Sequence, residues 1–329
     1  MDEEQEATMV GAPTSVAVPA AAGGPPADGL DAEALTAFVA RRHAPAGGPL
    51  RPIRLDVRLL RGGLQAAAVA HVRARFPAPG GRERSASFVV KRLEGAAVRE
   101  AAVYEALAAL GGRVPAPRLL GTQRGDGTCY LYLQHVRSWR RWPWGDAALA
   151  GLVLEELARL HDVLAASGAA AVAEWDDWDY EAELQASAAA TLAALQRVAG
   201  TAEAAGLRRA LPAVRRTVAA LPAVRRQLLG AGPLGRGVLH GDAHPGNVVL
   251  VAAPAGPRPV LLDWGRARLG SPLEDVSSWL HSLGMWEPEA RRRHDTLLRR
   301  YLVGRGMPDR LDRPLRDLYW LAGACNALA

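Results

Sequence analysis

The chain has 329 residues, 49% of them hydrophobic and 22% charged. That is about two domains at roughly 150 residues each, with enough apolar material for a sizeable core, which excludes global disorder. Charged residues interrupt every long apolar stretch before it reaches the ~18 residues of a membrane span, Cys129 and Cys325 are too few for a disulfide framework or a zinc cluster, and the net charge of +6 comes from scattered arginine pairs, with no nucleic-acid-binding motif beside them.

In chain order, residues 1–29 are rich in Ala, Gly and Pro and have the composition of a disordered tail. The opening Met1-Asp-Glu-Glu-Gln-Glu is acidic where an export signal begins basic, so a reducing cytoplasm is the expected location. Asp31 is placed to cap a helix reaching about Arg42. From Arg51 to Gly95 the period changes to two. Ala68, Ala70, Val72, Ala74 and Phe76 alternate with Val69, His71, Arg73 and Arg75 as in a half-buried strand. A second strand covers Ser85–Leu93, with glycine pairs at 62–63 and 80–81 marking turns. A helix is expected over Ala96–Leu110, ended by Gly111-Gly112, then a strand over Thr128–Val136 and a Trp- and Pro-containing connector to Gly145.

Beyond Asp146 the pattern is helical, near 146–166, 179–199 and 203–228. Leu-Pro-Ala-Val-Arg-Arg occurs at 211–216 and again at 221–226, which reads as a local duplication or a broken helix. Two short strands, Asn247–Ala252 and Pro259–Leu262, flank a Pro/Gly-rich hairpin, and 272–327 reads as three helices. The result is an α+β chain: a tail (1–29), a β-rich lobe (30–136) and a larger helical lobe (137–329), with a site expected in the cleft between lobes.

Two residue types are nearly absent. Of 40 basic side chains 39 are arginine, leaving Lys91 as the single lysine, and Asn247 and Asn326 are the only asparagines. A residue type avoided elsewhere and kept at one place suggests chemistry its substitute cannot supply, since an ammonium is compact where a guanidinium is a broad planar fork.

The densest polar segment is His240-Gly-Asp-Ala-His-Pro-Gly-Asn247, followed by Leu261-Leu-Asp-Trp-Gly265. Phosphoryl transfer needs a carboxylate beside the attacking hydroxyl, oxygen ligands for Mg²⁺ and a cation on the phosphates. Asp242 and Asn247 have the five-residue spacing of a kinase catalytic loop, and Asp263 ends a strand as the kinase Asp-Phe-Gly aspartate does. Lys91 lies on an upstream strand, with Glu100 nine residues on to hold its ammonium. A rare lysine and a rare asparagine thus fall in one mechanism.

On Val238–Leu250, Leu261-Leu-Asp-Trp264 and Gly270-Ser-Pro-Leu-Glu-Asp-Val276, with Arg99-Glu100 and Leu157-Ala-Arg-Leu-His161 in support, the chain resembles the aminoglycoside phosphotransferase family, protein-kinase-like small-molecule kinases, over roughly residues 50–305. The resemblance implies a two-lobed protein-kinase-like fold and transfer of the γ-phosphate of ATP or GTP to a small-molecule hydroxyl with Mg²⁺. It implies Asp242 as catalytic base, Asn247 and Asp263 as metal ligands, and Lys91, partnered by Glu100, on the α/β-phosphates, with Gln134 and Val136 of the connector strand also assigned to the nucleotide. Three features depart from the family pattern: a weak Gly-rich loop at Leu60–Ala66, Ser271 where Asp is frequent, and a connector, Leu133-Gln-His-Val136, without an acidic residue. No long activation loop follows Asp263, which argues against a protein substrate.

Other readings stand beside these. His240 and His244 can be read as metal ligands, and Asp242-Ala-His244 mimics the Asp-x-His opening of dinuclear metallophosphoesterases, but further ligands are lacking downstream, so His240 is expected to pack and orient the loop. His161 reads as a core histidine, and Trp139, Trp142 and Trp144 as packing. Residues 174–183 hold six acids and two tryptophans, an acidic helix start or a wall for a cationic substrate, with Asp176, Asp177 and Trp178 as candidates. The expected partner is a small hydroxylated molecule that can be cationic, with neither nucleic acid nor membrane, in a monomer or homodimer. A catalytically weak nucleotide- or metabolite-binding protein is the alternative, and the Lys, Asp, Asn, Asp set argues against it.

Overall fold

The computed structural model describes residues 29–43, 53–60, 66–77, 82–140, 142, 144–168, 180–200, 205–230 and 232–328. The chain divides into two compact units, Met1–Ala101 with Arg118–His135, and Ala102–Pro117 with Val136–Ala329.

In the first unit, helix α1 (Ala32–His43) starts where Asp31 Oδ1 accepts the Glu33 N–H at 2.8 Å. Its buried residues Ala34, Leu35, Phe38 and Val39 form one face. Strands β1 (Arg54–Leu59), β2 (Ala68–Pro77), β3 (Glu83–Glu94), β4 (Leu119–Gly125) and β5 (Thr128–Gln134) make an antiparallel sheet in the order β1-β2-β3-β5-β4. Along β2 the expected alternation appears: Val72, Ala74 and Phe76 are buried and Arg73 and Arg75 exposed, with Val69 buried as well because both faces are covered at that end. Phe38 stacks on Tyr132 at 3.8 Å and meets Phe88 edge-on at 5.2 Å, which joins α1 to the sheet. A 3₁₀ turn (Gly95–Val98) leads into α2 (Arg99–Ala109), which passes into the second unit at Ala102, so the helix starts three residues later than its sequence pattern suggests. Strand β4 is not anticipated by the sequence pattern. The glycine pairs 62–63 and 80–81 and the loop 61–65 lie outside the described residues.

The second unit is mainly helical: α3 (Ala147–Ala166), α4 (Tyr180–Ala199), α5 (Ala205–Gly230), α6 (Pro272–Trp286), α7 (Pro288–Arg292), α8 (His294–Gly304) and α9 (Arg313–Leu328). The C-terminal region holds four helices where three were expected, because Glu287-Pro288 interrupts the pattern: Pro288 sits at the first position of α7, where its missing N–H costs nothing. Helix α5 is continuous through Pro212 and Pro222, which overturns the broken-helix alternative. Val218, Leu221, Pro222, Arg225 and Leu229 are buried along one face of it, so packing offsets what Pro222 costs locally, whereas Pro212 is exposed. Two antiparallel pairs, β6 (Gly237–Leu239) with β9 (Arg268–Gly270) and β7 (Val248–Val251) with β8 (Arg258–Leu261), frame the polar segment. Of the connector tryptophans, Trp144 is buried against Trp142 and Trp279, whereas Trp139 is half exposed and does not pack as expected. Among the described residues no helix is long and apolar enough to cross a membrane.

Candidate active site

The polar segment is folded by its own backbone. Leaving β6, the chain turns at Gly241, whose φ of +82° favours glycine and where a Cβ would collide with the Arg266 carbonyl oxygen. Pro245–Asn247 then forms a 3₁₀ turn capped by His244, whose Nδ1 accepts the Gly246 N–H at 3.0 Å. The turn delivers Asn247 back onto Asp242. Asn247 Nδ2 donates to the Asp242 carbonyl oxygen at 3.1 Å and to its carboxylate Oδ2 at 3.0 Å.

Asp263 is drawn to the same place by bonds on the residue before it. Leu262 N–H donates to the Asn247 carbonyl at 2.7 Å, and the Leu262 carbonyl accepts from His240 Nε2 at 2.8 Å. Asp263 itself has φ 61° and ψ 73°, the one non-glycine residue with positive φ among the described residues. Its short polar side chain tolerates that conformation better than most, and the buried Trp264, bonded to the Leu261 carbonyl at 3.1 Å, anchors the turn that follows.

His240 orients the loop, as its sequence position suggests. Nε2 donates to Leu262 while Nδ1 accepts the Asp242 N–H at 3.2 Å, which requires the neutral ring. Burial lowers its pKa, in agreement with that tautomer. Below the loop, Asp275 of α6 accepts the His240 N–H and the Gly241 N–H, each at 2.8 Å, and receives His161 Nε2 at 3.1 Å. Burial pushes the Asp275 carboxyl up, but the His161 hydrogen bond and the neighbouring histidines and amide outweigh it, so its pKa is lowered. His161 is therefore a core histidine that also braces the carboxylate holding the loop.

In the first unit, Lys91 on β3 lies opposite Val69 of β2 and Leu131 of β5, so the strand carrying it is paired on both sides. Its Nζ meets Glu100 Oε1 at 2.6 Å with both side chains buried. Gln134 ends β5, where its Oε1 faces the Arg118 N–H at 3.4 Å, and Val136 follows just after the strand. Asp176, Asp177 and Trp178 lie outside the described residues. Of the same acidic stretch, Glu181 pairs with Arg225 and Glu183 with Arg266, so two of its six acids are spent on internal arginines.

Sequence reasoning assigns no role to Asp275, Glu274, Arg268, Arg225 or Asn326. Asp275 has a usable signal, a carboxylate within the apolar stripe of α6. Asn326 has rarity: its Nδ2 donates to the Glu274 carbonyl at 2.7 Å and to Ser277 Oγ at 2.8 Å. Nothing distinguishes Arg268 or Arg225 among 39 arginines. Ser271, in place of the frequent Asp, caps α6 in a reciprocal box with Glu274.

Among the described residues no group of three or more His, Cys, Asp or Glu is placed to hold a metal. The oxygen donors of Asn247 and Asp263 nonetheless suit Mg²⁺, which is held by one or two protein ligands together with phosphate and water oxygens. With Asn247 Nδ2 given to Asp242, its Oδ1 is the atom left for a cation.

No curated protein matches the chain in sequence. Solved structures match it in fold. A choline kinase from Cryptosporidium parvum is 9% identical, covers 91% of this chain and 86% of its own, and has a TM-score of 0.55. A macrolide 2′-phosphotransferase from Brachybacterium faecium is 20% identical over 90% of this chain and 89% of its own, with a TM-score of 0.50. An aminoglycoside phosphotransferase from Streptomyces rimosus, solved with ADP and streptomycin, is 17% identical over 90% and 99%, with a TM-score of 0.50. At these identities the likeness establishes the fold, the kinase-like arrangement of a five-stranded antiparallel sheet followed by a mainly helical region. The model of the phosphotransferase enzyme family matches residues 80–314, a span that includes Lys91, the Asp242–Asn247 turn and Asp263, and the chain belongs to that family.

Proposed function

We propose that this protein is a small-molecule kinase that moves the γ-phosphate of ATP or GTP to a substrate hydroxyl, with Mg²⁺. The observation that carries the reading is the Asn247 amide bonded to both the carbonyl and the carboxylate of Asp242. A binding module has no use for a carboxylate oriented in this way, whereas a general base must be aimed at the proton it removes.

In this reading Asn247 fixes Oδ2, leaving Oδ1 to accept the hydroxyl proton. As the acceptor oxygen bonds to Pγ, that proton passes to Asp242, the bond from Pγ to the β-phosphate oxygen breaks, and the nucleoside diphosphate leaves. Asn247 Oδ1 and the Asp263 carboxylate would hold Mg²⁺. When bound, the ion neutralises charge on the phosphate oxygens. Lys91, kept in place by Glu100, adds its ammonium to the α/β-phosphates, and Gln134 and Val136 contact the nucleotide. For the acceptor, the relatives act on or bind hydroxylated amines and sugars, such as choline and streptomycin. A small hydroxylated and cationic molecule drawn by the acidic residues near Asp176, Asp177 and Trp178 is the class we favour.

The test is thermal unfolding with millimolar ATP or GTP, with and without Mg²⁺, followed by ADP or GDP release in the presence of hydroxylated amines. A ligand at 100 times its Kd stabilises by about 2.7 kcal/mol, a shift of a few degrees for a chain of this size. Mg²⁺-dependent stabilisation with acceptor-dependent release supports the reading. Stabilisation without turnover would make the protein a nucleotide sensor, and no stabilisation by either nucleotide would sink both.

A further inference from the structure

A buried charge cluster lies against the candidate active site and is unused by the mechanism above. Glu274, on α6 beside Asp275, is 1% exposed and receives two arginines. Arg225 of α5 donates Nη2 to both carboxylate oxygens at 2.6 and 2.7 Å, and Arg268 of β9 donates Nη2 to Oε2 at 2.8 Å. The Tyr180 ring at the start of α4 lies beneath both guanidinium groups, 3.9 Å from Arg268 and 4.6 Å from Arg225. Arg225 continues to Glu181, one residue further along α4.

The other arm of Arg268 reaches the site. Its Nη1 donates to the Gly241 carbonyl at 2.8 Å. That carbonyl belongs to the peptide whose N–H is that of Asp242, and the N–H end is held by His240 Nδ1. The plane that aims Asp242 is therefore pinned at one end by His240 and at the other by Arg268. Burial disfavours the charge on Arg268, but Glu274 more than offsets it, and the guanidinium is more firmly protonated than an ordinary arginine. Well-packed apolar residues often stabilise a fold as well as a buried ion triad does, so stability alone gives little reason for this cluster, whereas a fixed direction at the Gly241 carbonyl does.

We propose that Arg268 is a positioning residue for phosphoryl transfer, setting the Gly241–Asp242 peptide, and that the chain Glu181–Arg225–Glu274–Arg268 ties this setting to the start of α4, at the C-terminal end of the acidic stretch 174–183. It rests on Asp242 being the proton acceptor.

The test uses the full-length chain with Mg-ATP, water serving as acceptor, and follows ADP release in single-turnover and steady-state assays. Arg268→Lys keeps the charge beside Glu274 but cannot span to Gly241 and lie flat on Tyr180. It should lower kcat by about 10- to 100-fold, as a misaimed group does, with little change in the KM for ATP. The decisive comparison repeats the substitution in an Asp242→Asn background, where it should have almost no further effect on rate. Glu181→Gln, at a partly exposed position, should give a smaller loss of kcat with KM again unmoved. An Arg268→Lys enzyme with full kcat, or one that loses as much in the Asp242→Asn background as in the parent, overturns the proposal while leaving the kinase reading intact. A parent protein that neither binds nor hydrolyses ATP or GTP overturns both.

Discussion

The Asn247 side chain donates one amide nitrogen to two oxygens of Asp242, at 3.1 Å to the carbonyl and 3.0 Å to the carboxylate. The first bond closes the turn and the second orients the carboxylate, so local folding and, in the proposed reaction, the aim of the base depend on one group. Asn247→Ala should lower kcat by about 100-fold or more, in the range expected for a displaced general base, and raise the Mg²⁺ concentration needed for half-maximal rate. Rates measured across a Mg²⁺ titration check both. An unchanged Mg²⁺ dependence would remove Asn247 from the metal.

Lys91 and Glu100 form a buried pair at 2.6 Å. Lys91→Arg retains charge but brings a wider, planar group into a place shaped for an ammonium. A lost charge-assisted bond is worth roughly 1.5–3 kcal/mol, so kcat/KM for the nucleotide should fall about 10- to 100-fold. Lys91→Met leaves Glu100 buried without its cation and should also destabilise the fold, by about 3–5 kcal/mol. Steady-state kinetics and urea unfolding separate the two effects, and a Lys91→Arg enzyme of normal kcat/KM would show the lone lysine to be dispensable.

The neutral, buried His240 makes stability depend on pH. Its folded pKa lies below the ordinary value, while the unfolded chain titrates near ~6.5. Below that value the unfolded state binds a proton that the folded state refuses. The contribution is therefore present above ~6.5 and is lost as pH falls towards the folded pKa, at up to about 1.4 kcal/mol per pH unit. Urea unfolding at pH 7.5 and 5.5 should show a smaller pH difference for His240→Gln than for the parent. Equal differences would place the titration elsewhere, for example at His281, which burial also lowers.

Ser271 caps α6, the helix that carries Asp275 and Glu274. Ser271→Ala should cost about 1 kcal/mol, and Ser271→Asp should be close to neutral because Asp is an equally good cap and favours the helix dipole. Chemical unfolding of the two variants decides it. A destabilised Asp variant would mean that the buried Glu274 carboxylate beside it, not capping, determines which residue is accepted there.

Much of the secondary structure is written in local pattern: period two along β2, helical spacing through α3, α4 and α5, and Asp31 and Asp146 before helices they cap. The strands that pattern misses, β4, β6 and β9, are three to seven residues long and depend on partners elsewhere in the chain: β6 pairs with β9 across the whole turn that carries Asp242 and Asn247. Pro222 of α5 misleads for the same reason, since the buried face that outweighs it exists only after packing. For the candidate site, spacing and rarity single out Lys91, Glu100, Asp242, Asn247 and Asp263 as candidates, because each sits in a short segment whose residue types are those that the proposed phosphoryl transfer requires. Their supports are not readable in that way. Asp275, Arg268, Arg225 and His161 are ordinary residue types, and they meet the loop or its braces from α6, β9, α5 and α3. Hydrogen bonds across such distances in sequence leave no local period, so tertiary structure alone decided which arginine and which histidine hold the loop that carries Asp242.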